Sequence, residues 1–299
     1  MPRKPSADAI RPIGAHAPIS GGLGTGSLRY AAAVGAEAIQ IFATNPRAWS
    51  PALADEEQLA ILRDHVRRTG FPVFVHAPYL INVGSPDEVV RERSAALLGH
   101  CLSRGEQVTA RGVVVHTGSA ITPDRPAGLR RMRETLLPLL DKLADDGPDL
   151  LLEPMAGQGQ MLCATIGDIG PYLSALEWHP RANLCLDTCH LHGAGHDLVA
   201  EGGVAGMLAE LAAVAGGRLR LIHANDAKDG CGSRKDRHEN IGKGAIGSQP
   251  FRALLHHPAT AGVAFIVETP GAERGQRQDI VTLKRLRRGP RAGRPSRGE

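Results

Sequence analysis

The sequence has few of the features that mark membrane, secreted or disulfide-rich proteins. Its 299 residues contain no run of about 18 consecutive apolar residues, so we expect no membrane-spanning helix. The N-terminal segment, MPRKPSADAIRP, lacks an apolar core, which predicts that there is no secretory signal. The five cysteines form no C-x-x-C pair, and their odd number indicates free thiols in a reducing, cytoplasmic compartment. Two Trp, three Tyr and five Phe are too few for a protein that binds single strands by base stacking.

Charge is distributed unevenly along the chain. Lys and Arg number 35 and Asp and Glu 31, a formal charge of +4. Residues 284–299 hold seven basic residues and one acid, so the rest of the chain holds 28 basic and 30 acidic residues and is slightly acidic. We expect a flexible N-terminus over residues 1–10, one domain over 11–286 and a basic, disordered tail over 287–299. A nuclear address or a DNA anchor is the alternative interpretation of the tail.

Short apolar runs alternate with segments that have helical character. The runs span residues 13–17, 38–44, 73–79, 112–118, 149–155, 184–190, 219–226 and 264–269. Near-continuous apolar runs are typical of strands that are buried on both faces, as in parallel sheets. Eight such units predict a (β/α)₈ TIM barrel, with its active site at the C-terminal ends of the strands. An open, doubly wound sheet is the alternative, but the glycines of residues 21–26 (GGLGTG) lack the G-x-G-x-x-G spacing.

Helix signals lie between these runs. Residues 85–88 (SPDE) resemble a capping box with Pro at the first helical position, which predicts a helix from Ser85 towards Ala110. Residues 55–69 have an acidic first turn and a basic last turn, as expected for a helix. A further helix is predicted over residues 126–144, with a kink or a restart at Pro138.

Ionisable side chains stand at the ends of nearly all the predicted strands and in the long loop after the seventh. They are His76, His116, Glu153, Asp187, His190, His223, Asp236, His238 and Glu268. One such residue is more often a core or capping residue than a ligand, but the strand ends of a barrel converge on one place. Buried together, four carboxylates and five imidazoles are costly unless divalent metal neutralises them. Imidazole and carboxylate without thiolate suit Zn²⁺, with Mn²⁺ or Fe²⁺ as alternatives, and nine ligands suit about three ions.

Two local spacings support this interpretation. Asp187 and His190 are three residues apart across a strand-to-helix turn, and can serve different ions. Residues 236–238 (DRH) place two ligands on one side of an extended loop, for which an ordinary solvated loop is the alternative. Cys185 and Cys189 are interpreted as core residues because their spacing within a strand end is poor metal geometry.

A series of short motifs then follows the chain in order from about residue 11 to 284. They are GAHAPISGG (14–22), VHAPYLINV (75–83), VHTGS (115–119), EPMAGQG (153–159), LDTCH (186–190), GHDL (195–198), HANDAK (223–228), GSRKDRH (232–238), IGKGAIG (241–247) and VET (267–269). In these motifs the chain resembles the endonuclease IV family, the type-2 apurinic/apyrimidinic endonucleases also called deoxyribonuclease IV. GSRKDRH and LDTCH are highly specific in combination.

The resemblance implies a TIM barrel with a trinuclear zinc site. Carried over to this chain, the ligand sets are His76, His116 and Glu153 for one ion, Glu153, Asp187, His223 and Glu268 for a second, and His190, Asp236 and His238 for a third. The implied activity belongs to base excision repair: hydrolysis of the phosphodiester 5′ to an abasic site in double-stranded DNA, leaving a 3′-hydroxyl and a 5′-deoxyribose phosphate. We expect Glu153 and Glu268 to orient the attacking water, and the enzyme to be a monomer with no membrane partner.

DNA contacts and one departure complete the resemblance. The family likeness points to Asn45, Arg47 and Tyr79 as DNA-binding residues, and Arg237 lies between two ligands as a phosphate contact. A solvated loop cation and a rim aromatic are the alternatives for Arg47 and Tyr79. Pro154 stands where family members commonly carry Asn, which removes a backbone N–H beside the bridging carboxylate.

Two other functions compete with this one. A sugar isomerase or epimerase on a related barrel would need only Glu153, Asp187, His223 and Glu268 with one or two ions. A non-catalytic binder of damaged DNA would need no open metal site at all. The five remaining ionisable residues of the set argue against both.

Overall fold

The structure is a computed structural model that describes residues 10–51, 53 and 55–288, and it has the predicted (β/α)₈ TIM barrel. The barrel strands are β1 (Ile13–His16), β2 (Ile39–Phe42), β3 (Val73–His76), β4 (Gly112–His116), β5 (Asp149–Glu153), β6 (Ala182–Asp187), β7 (Leu219–His223) and β10 (Ala264–Val267). They are parallel and close in the order β1-β10-β7-β6-β5-β4-β3-β2. Strands β8 (Asp226–Ala227) and β9 (His238–Glu239) form a small antiparallel pair in the loop after β7. The doubly wound alternative is therefore wrong.

Helices connect the strands on the outside of the barrel. They are α1 (Thr25–Val34), α2 (Glu56–Thr69), α3 (Glu88–Gln107), α4 (Arg125–Leu140), α5 (Ile166–Ala175), α6 (Thr188–Gly193), α7 (Gly203–Ala215), α8 (Ser248–His256) and α9 (Ala272–Arg288), with a 3₁₀ turn at Pro258–Thr260. Within the described ranges, no helix combines the length and the apolar character needed to cross a bilayer.

The helix ends show which signals the chain uses. Asp55 caps α2 by accepting from the Gln58 N–H. The predicted cap of α3 is wrong, because Asp87 and not Ser85 precedes its first turn and accepts from two backbone N–H groups. Asp is as good a cap as Ser, and Ser85 Oγ instead accepts from the Asp87 N–H. In α4 the helix continues through Pro138 and ends two residues later, so the proline stands in its last turn.

The barrel interior is filled by a plug of apolar side chains. Its members are Ala38, Phe74, Val114, Leu151, Cys185, Leu221, Ala264 and Ile266. Because successive side chains of a strand point to opposite faces, a residue two positions further on points inward again, nearer the C-terminal end. Those positions carry polar side chains: Gln40, His76, His116, Glu153, Asp187, His223 and Glu268. With His16, two residues after Gly14 on β1, they form the polar ring, with one residue from each of seven barrel strands and Glu268 directly after β10.

Helix α9 closes the outside of the barrel against β1. Its Arg287 forms two hydrogen bonds with Glu37, of 2.6 and 2.9 Å, and donates to the Arg11 carbonyl at 2.6 Å. Lys284 adds an ion pair with Glu37 at 3.0 Å. The expected tail boundary after Leu286 therefore falls inside α9, because these bonds hold the last helical turn. Residues 1–9 of the predicted N-terminal segment and 289–299 of the tail lie outside the described residues.

Candidate metal centre at the barrel mouth

Glu153 lies at the centre of the polar ring, and its two oxygens face different imidazoles. Oε2 is 3.3 Å from His76 Nε2 and 3.5 Å from His116 Nε2. Oε1 is 2.9 Å from His223 Nδ1. The side chain is only 1% exposed, so these ring nitrogens stand where water would otherwise solvate the carboxylate. One carboxylate thus joins two groups of nitrogen ligands.

His223 gathers the carboxylates of the second predicted set. Its Nδ1 is 3.2 Å from Glu268 Oε2 and 3.9 Å from Asp187 Oδ2, besides its contact with Glu153. The amide nitrogen of Gln40 donates to Glu268 Oε1 at 2.7 Å, so the amide oxygen of Gln40 faces His223. That oxygen only accepts, and His223 Nε2 therefore donates to it at 2.8 Å. The lone pair of a neutral His223 ring therefore points from Nδ1 at three carboxylates.

The third predicted set meets beside the ring. Asp236 Oδ2 is 3.2 Å from His190 Nε2, and Oδ1 is 3.1 Å from His238 Nε2. His238 Nε2 is also 3.5 Å from Asp187 Oδ2, which connects this group to the second one. The structure thus brings all nine predicted ligands together, with Asp187 lying between the second and third predicted sets.

Backbone carbonyls fix two of the imidazoles from behind. His76 Nδ1 donates to the Ala77 carbonyl at 2.7 Å, and His190 Nδ1 donates to the Pro154 carbonyl at 3.1 Å. A carbonyl only accepts, so Nδ1 carries the proton and Nε2 of the neutral ring faces the carboxylates with its lone pair. Such an outer hydrogen bond is typical of histidines that bind metal. Pro154 therefore supports the site through its carbonyl, and this contact does not need the N–H that proline lacks.

The pKa values of these groups are set by burial and by the attraction between carboxylates and imidazoles. Burial lowers the pKa of His190, but the carboxylates of Asp187 and Asp236 outweigh it and raise the value to about 10. Burial raises the pKa of Glu153, but His223 and the other imidazoles hold it well below its usual range. His116 has fewer carboxylates around it, and burial lowers its pKa to about 4. Without another cation, the carboxylates can be neutralised only by protonating some of the imidazoles.

Among the nine predicted ligands, three buried atoms have no hydrogen-bond partner within the described residues. They are Glu153 Oε2, His190 Nε2 and His238 Nε2. Unpaired buried polar atoms are rare because each forfeits its hydrogen bond to water. With neutral imidazole rings, all three are lone-pair atoms that face other lone-pair atoms, which is the arrangement that a divalent cation satisfies. The donor set therefore fits zinc, through nitrogen and carboxylate ligands with open positions for substrate.

Sequence reasoning missed three residues of the site. His16 faces Glu268 Oε1 at 3.2 Å, and the rule applied to the other strand ends would have found it in the run at 13–17. Gln40 links His223 to Glu268, and Asn225 donates to Asp187 Oδ2 at 2.7 Å while it accepts from the Glu268 N–H at 2.8 Å. These two residues are uncharged, so no search for ionisable ligands detects them.

The predicted DNA-binding residues are more dispersed. A cavity of about 490 Å³ opens above the metal ligands, and its described lining includes Tyr79 but not Asn45, Arg47 or Arg237. Tyr79 is 55% exposed and stacks on the His116 ring at 5.9 Å. Asn45 and Arg47 are exposed after β2, where Asn45 Oδ1 accepts from the Arg47 N–H at 3.0 Å. Arg237 is half-exposed and pairs with Asp229 through both guanidinium arms.

The two thiols near the centre are buried, as expected of core residues. Cys185 belongs to the apolar plug, and burial raises its pKa to about 12. Cys189 lies in the core between α6 and the barrel, and burial raises its pKa as well. All five cysteines are free.

Comparison with known proteins places this geometry in a family. A family model described as xylose isomerase-like TIM barrel matches residues 28–286. A probable endonuclease 4 from Streptomyces coelicolor is 51% identical over 281 residues, which cover 93% of this chain and 96% of that protein. The crystal structure of endonuclease IV from Thermus thermophilus superposes with a TM-score of 0.81 at 30% identity, over 92% of this chain and 98% of the other.

The barrel fold also occurs in a less similar solved structure. The crystal structure of a D-tagatose 3-epimerase-like protein matches with a TM-score of 0.68 at 20% identity, over 88% of this chain and 92% of the other. At that identity the likeness shows the fold alone.

Proposed function

The chain belongs to the endonuclease IV family, and on that premise we propose that it is a zinc-dependent apurinic/apyrimidinic endonuclease of base excision repair. Its substrate is double-stranded DNA that contains an abasic site. It hydrolyses the phosphodiester 5′ to that site and leaves a 3′-hydroxyl and a 5′-deoxyribose phosphate.

The observation that carries this proposal is the position of Glu153 between two groups of imidazoles. Its Oε2 faces His76 and His116, and its Oε1 faces His223. A sugar isomerase or epimerase with one or two ions needs only Glu153, Asp187, His223 and Glu268, and has no use for the first group. A carboxylate shared between two nitrogen sets is the arrangement expected of a site for adjacent ions, which suits phosphoester hydrolysis.

Three zinc ions fit the donor groups, with Mn²⁺ or Fe²⁺ as alternatives at some positions. The ligands are His76, His116 and Glu153; Glu153, Asp187, His223 and Glu268; and His190, Asp236 and His238. When bound, zinc supplies the positive charge that lowers the pKa of water and neutralises the phosphate in the transition state.

The two catalytic carboxylates have different access to the cavity. Both side chains line the cavity, but Glu153 is 1% exposed and Glu268 is 16% exposed. Glu268 is therefore the carboxylate that reaches a water beside the scissile phosphate. Gln40 and His16 hold its Oε1, so the group keeps one orientation while it orients that water and takes up its proton.

An abasic nucleotide enters such a site easily because it has no base to unstack. Tyr79 stands at the cavity rim, where its ring can cover the exposed deoxyribose. Asn45 and Arg47, on the loop after β2, and Arg237, beside Asp236, contact the DNA backbone. We further propose that the enzyme acts as a monomer in the cytoplasm, where it is associated with the nucleoid through DNA and its thiols stay reduced.

A duplex oligonucleotide with one abasic site and a 5′ label tests the proposal. We expect a single cut, 5′ to the lesion, that yields a 3′-hydroxyl extendable by a polymerase, and no cut after EDTA treatment until zinc is returned. A β-elimination product, or cleavage that is indifferent to EDTA, contradicts the proposal.

Two variants test whether cleavage depends on the proposed site. Glu268→Gln should lower the nicking rate at least about 1,000-fold while the circular dichroism spectrum is unchanged, because the amide is a poor ligand and cannot take up a proton. Glu134→Gln, an exposed change on α4, is the matched control and should cleave normally.

A further inference from the structure

A second group of metal-binding side chains lies outside the polar ring. His192, Asp197 and Cys231 each have one ligand atom within 4.8 Å of the ligand atoms of the other two. Histidine nitrogen, carboxylate oxygen and thiolate sulfur are all zinc ligands. None of these residues belongs to the three groups at the barrel mouth.

Two backbone segments bring the group together. His192 lies in the last turn of the short helix α6, and Asp197 follows in the loop towards α7. The loop after β8 lies against this segment, since the Gly232 N–H donates to the His192 carbonyl and the Arg234 N–H to the Gly193 carbonyl, both at 2.9 Å. Cys231 is thereby held beside His192 across the two segments.

The imidazole of His192 is built into the protein without a partner. The residue is 2% exposed, and its Nδ1 is buried with no hydrogen bond to any described residue. A buried ring nitrogen normally has a donor or an acceptor. A bound ligand would give this ring nitrogen the partner that it lacks.

The other two members, Asp197 and Cys231, are exposed side chains at the surface. Asp197 Oδ1 accepts from the N–H groups of Val199 and Ala200 at 3.0 and 3.1 Å, and a carboxylate has a second oxygen to offer. Burial and the neighbouring Asp197 raise the pKa of the Cys231 thiol. A bound cation reverses that effect, because it replaces the thiol proton, which passes to water.

We propose that His192, Asp197 and Cys231 bind a further zinc ion, with water in the fourth position. The ion connects α6 to the loop that carries Asp236 and Arg237. It is thus a structural clamp on the loop that supplies one ligand of the barrel-mouth centre. The thiolate separates the two sites chemically, since the proposed mouth ligands include no sulfur.

Substitution of cobalt for zinc in the full-length protein tests this proposal. Thiolate bound to Co²⁺ gives a sulfur-to-metal charge-transfer band in the near ultraviolet, which imidazole and carboxylate ligands do not. We expect this band in the wild-type protein, its loss in Cys231→Ser, and a metal content lower by one ion per chain in that variant. Asp197→Asn keeps the acceptor for Val199 and Ala200, and should weaken cobalt binding at this site about tenfold or more.

Cys189→Ala is the matched control, because Cys189 lies near Asp236 and His238. The band should persist in that variant. Absence of the band in wild-type protein overturns the proposal, as does a band that survives Cys231→Ser. The charge-transfer band and the metal content do not depend on DNA cleavage. Failure of this proposal can therefore be told apart from failure of the endonuclease proposal.

Discussion

At the scale of single residues, the site also depends on side chains that are not among the proposed metal ligands. Gln40 is fully buried, and its amide has both of its functions in use: its oxygen accepts from His223 and its nitrogen donates to Glu268. Two proposed ligands of one ion are therefore positioned by a single neutral side chain. Gln40 is a positioning residue, since it acts on the reaction only through its neighbours.

Replacing Gln40 by leucine removes both hydrogen bonds while the volume is nearly unchanged. We expect zinc affinity and nicking rate to fall about 10- to 100-fold, because the His223 ring and the Glu268 carboxylate lose their fixed orientation. Zinc retained after dialysis against a chelator, measured beside the cleavage rate, checks this. Gln278→Leu on the exposed side of α9 is the control. Full zinc retention in Gln40→Leu would show that the link is dispensable.

At the scale of elements, a cluster of ion pairs joins α9 to Glu37, just before β2, and to the start of β1. Burial raises the pKa of Glu37, but hydrogen bonds from Arg287 and the Ile13 N–H, with Lys284 nearby, lower it to about 2. In the unfolded chain the same group has its ordinary value of 4.5. The stabilisation is therefore complete above pH 4.5 and disappears as the pH falls from there to about 2.

Glu37→Gln measures this contact. The group is about one-third exposed, so we expect a loss of about 1 kcal/mol in the free energy of unfolding at neutral pH. The difference from wild type should shrink as the pH falls below 4.5, because the wild-type carboxylate then becomes protonated too. Urea unfolding at several pH values gives the comparison. A difference that is constant down to pH 2.5 would rule out the ion pairs as its cause.

The elements also show how far sequence reasoning reaches. The eight strands and the residues at their ends were predictable because strand alternation and apolar runs are local. The bonds of Gln40 to partners more than 180 residues away were not, because they exist only once β2 lies near β7 and β10. The cap of α3 was undecidable between Ser85 and Asp87, since both residue types favour that position equally.

At the scale of the whole molecule, metal should contribute to stability as well as to catalysis. A ligand present at about 1,000 times its Kd stabilises the folded state by about 4 kcal/mol per site. Removing zinc leaves the carboxylates of the polar ring to imidazolium partners alone. The metal-free protein should therefore unfold at a lower temperature.

Calorimetry with and without a chelator tests this expectation. We expect the midpoint to fall by on the order of 10 °C for a chain of this size. Added zinc should restore it. Magnesium should not, because it prefers all-oxygen ligands. An unchanged midpoint after complete metal removal would mean that the ligand groups are stable without ions.

Closure of the barrel joins segments that are far apart in the sequence. Strand β1 pairs with β10, and Ile13 lies opposite Phe265 in the register. His16 and Glu268 therefore meet only after residues 13–268 are available. Pairing of such distant segments is intrinsically slow, because loop closure precedes the contacts that reward it. A nascent chain that has not reached residue 268 lacks one of the two carboxylates that we propose for catalysis, and it should not cut DNA.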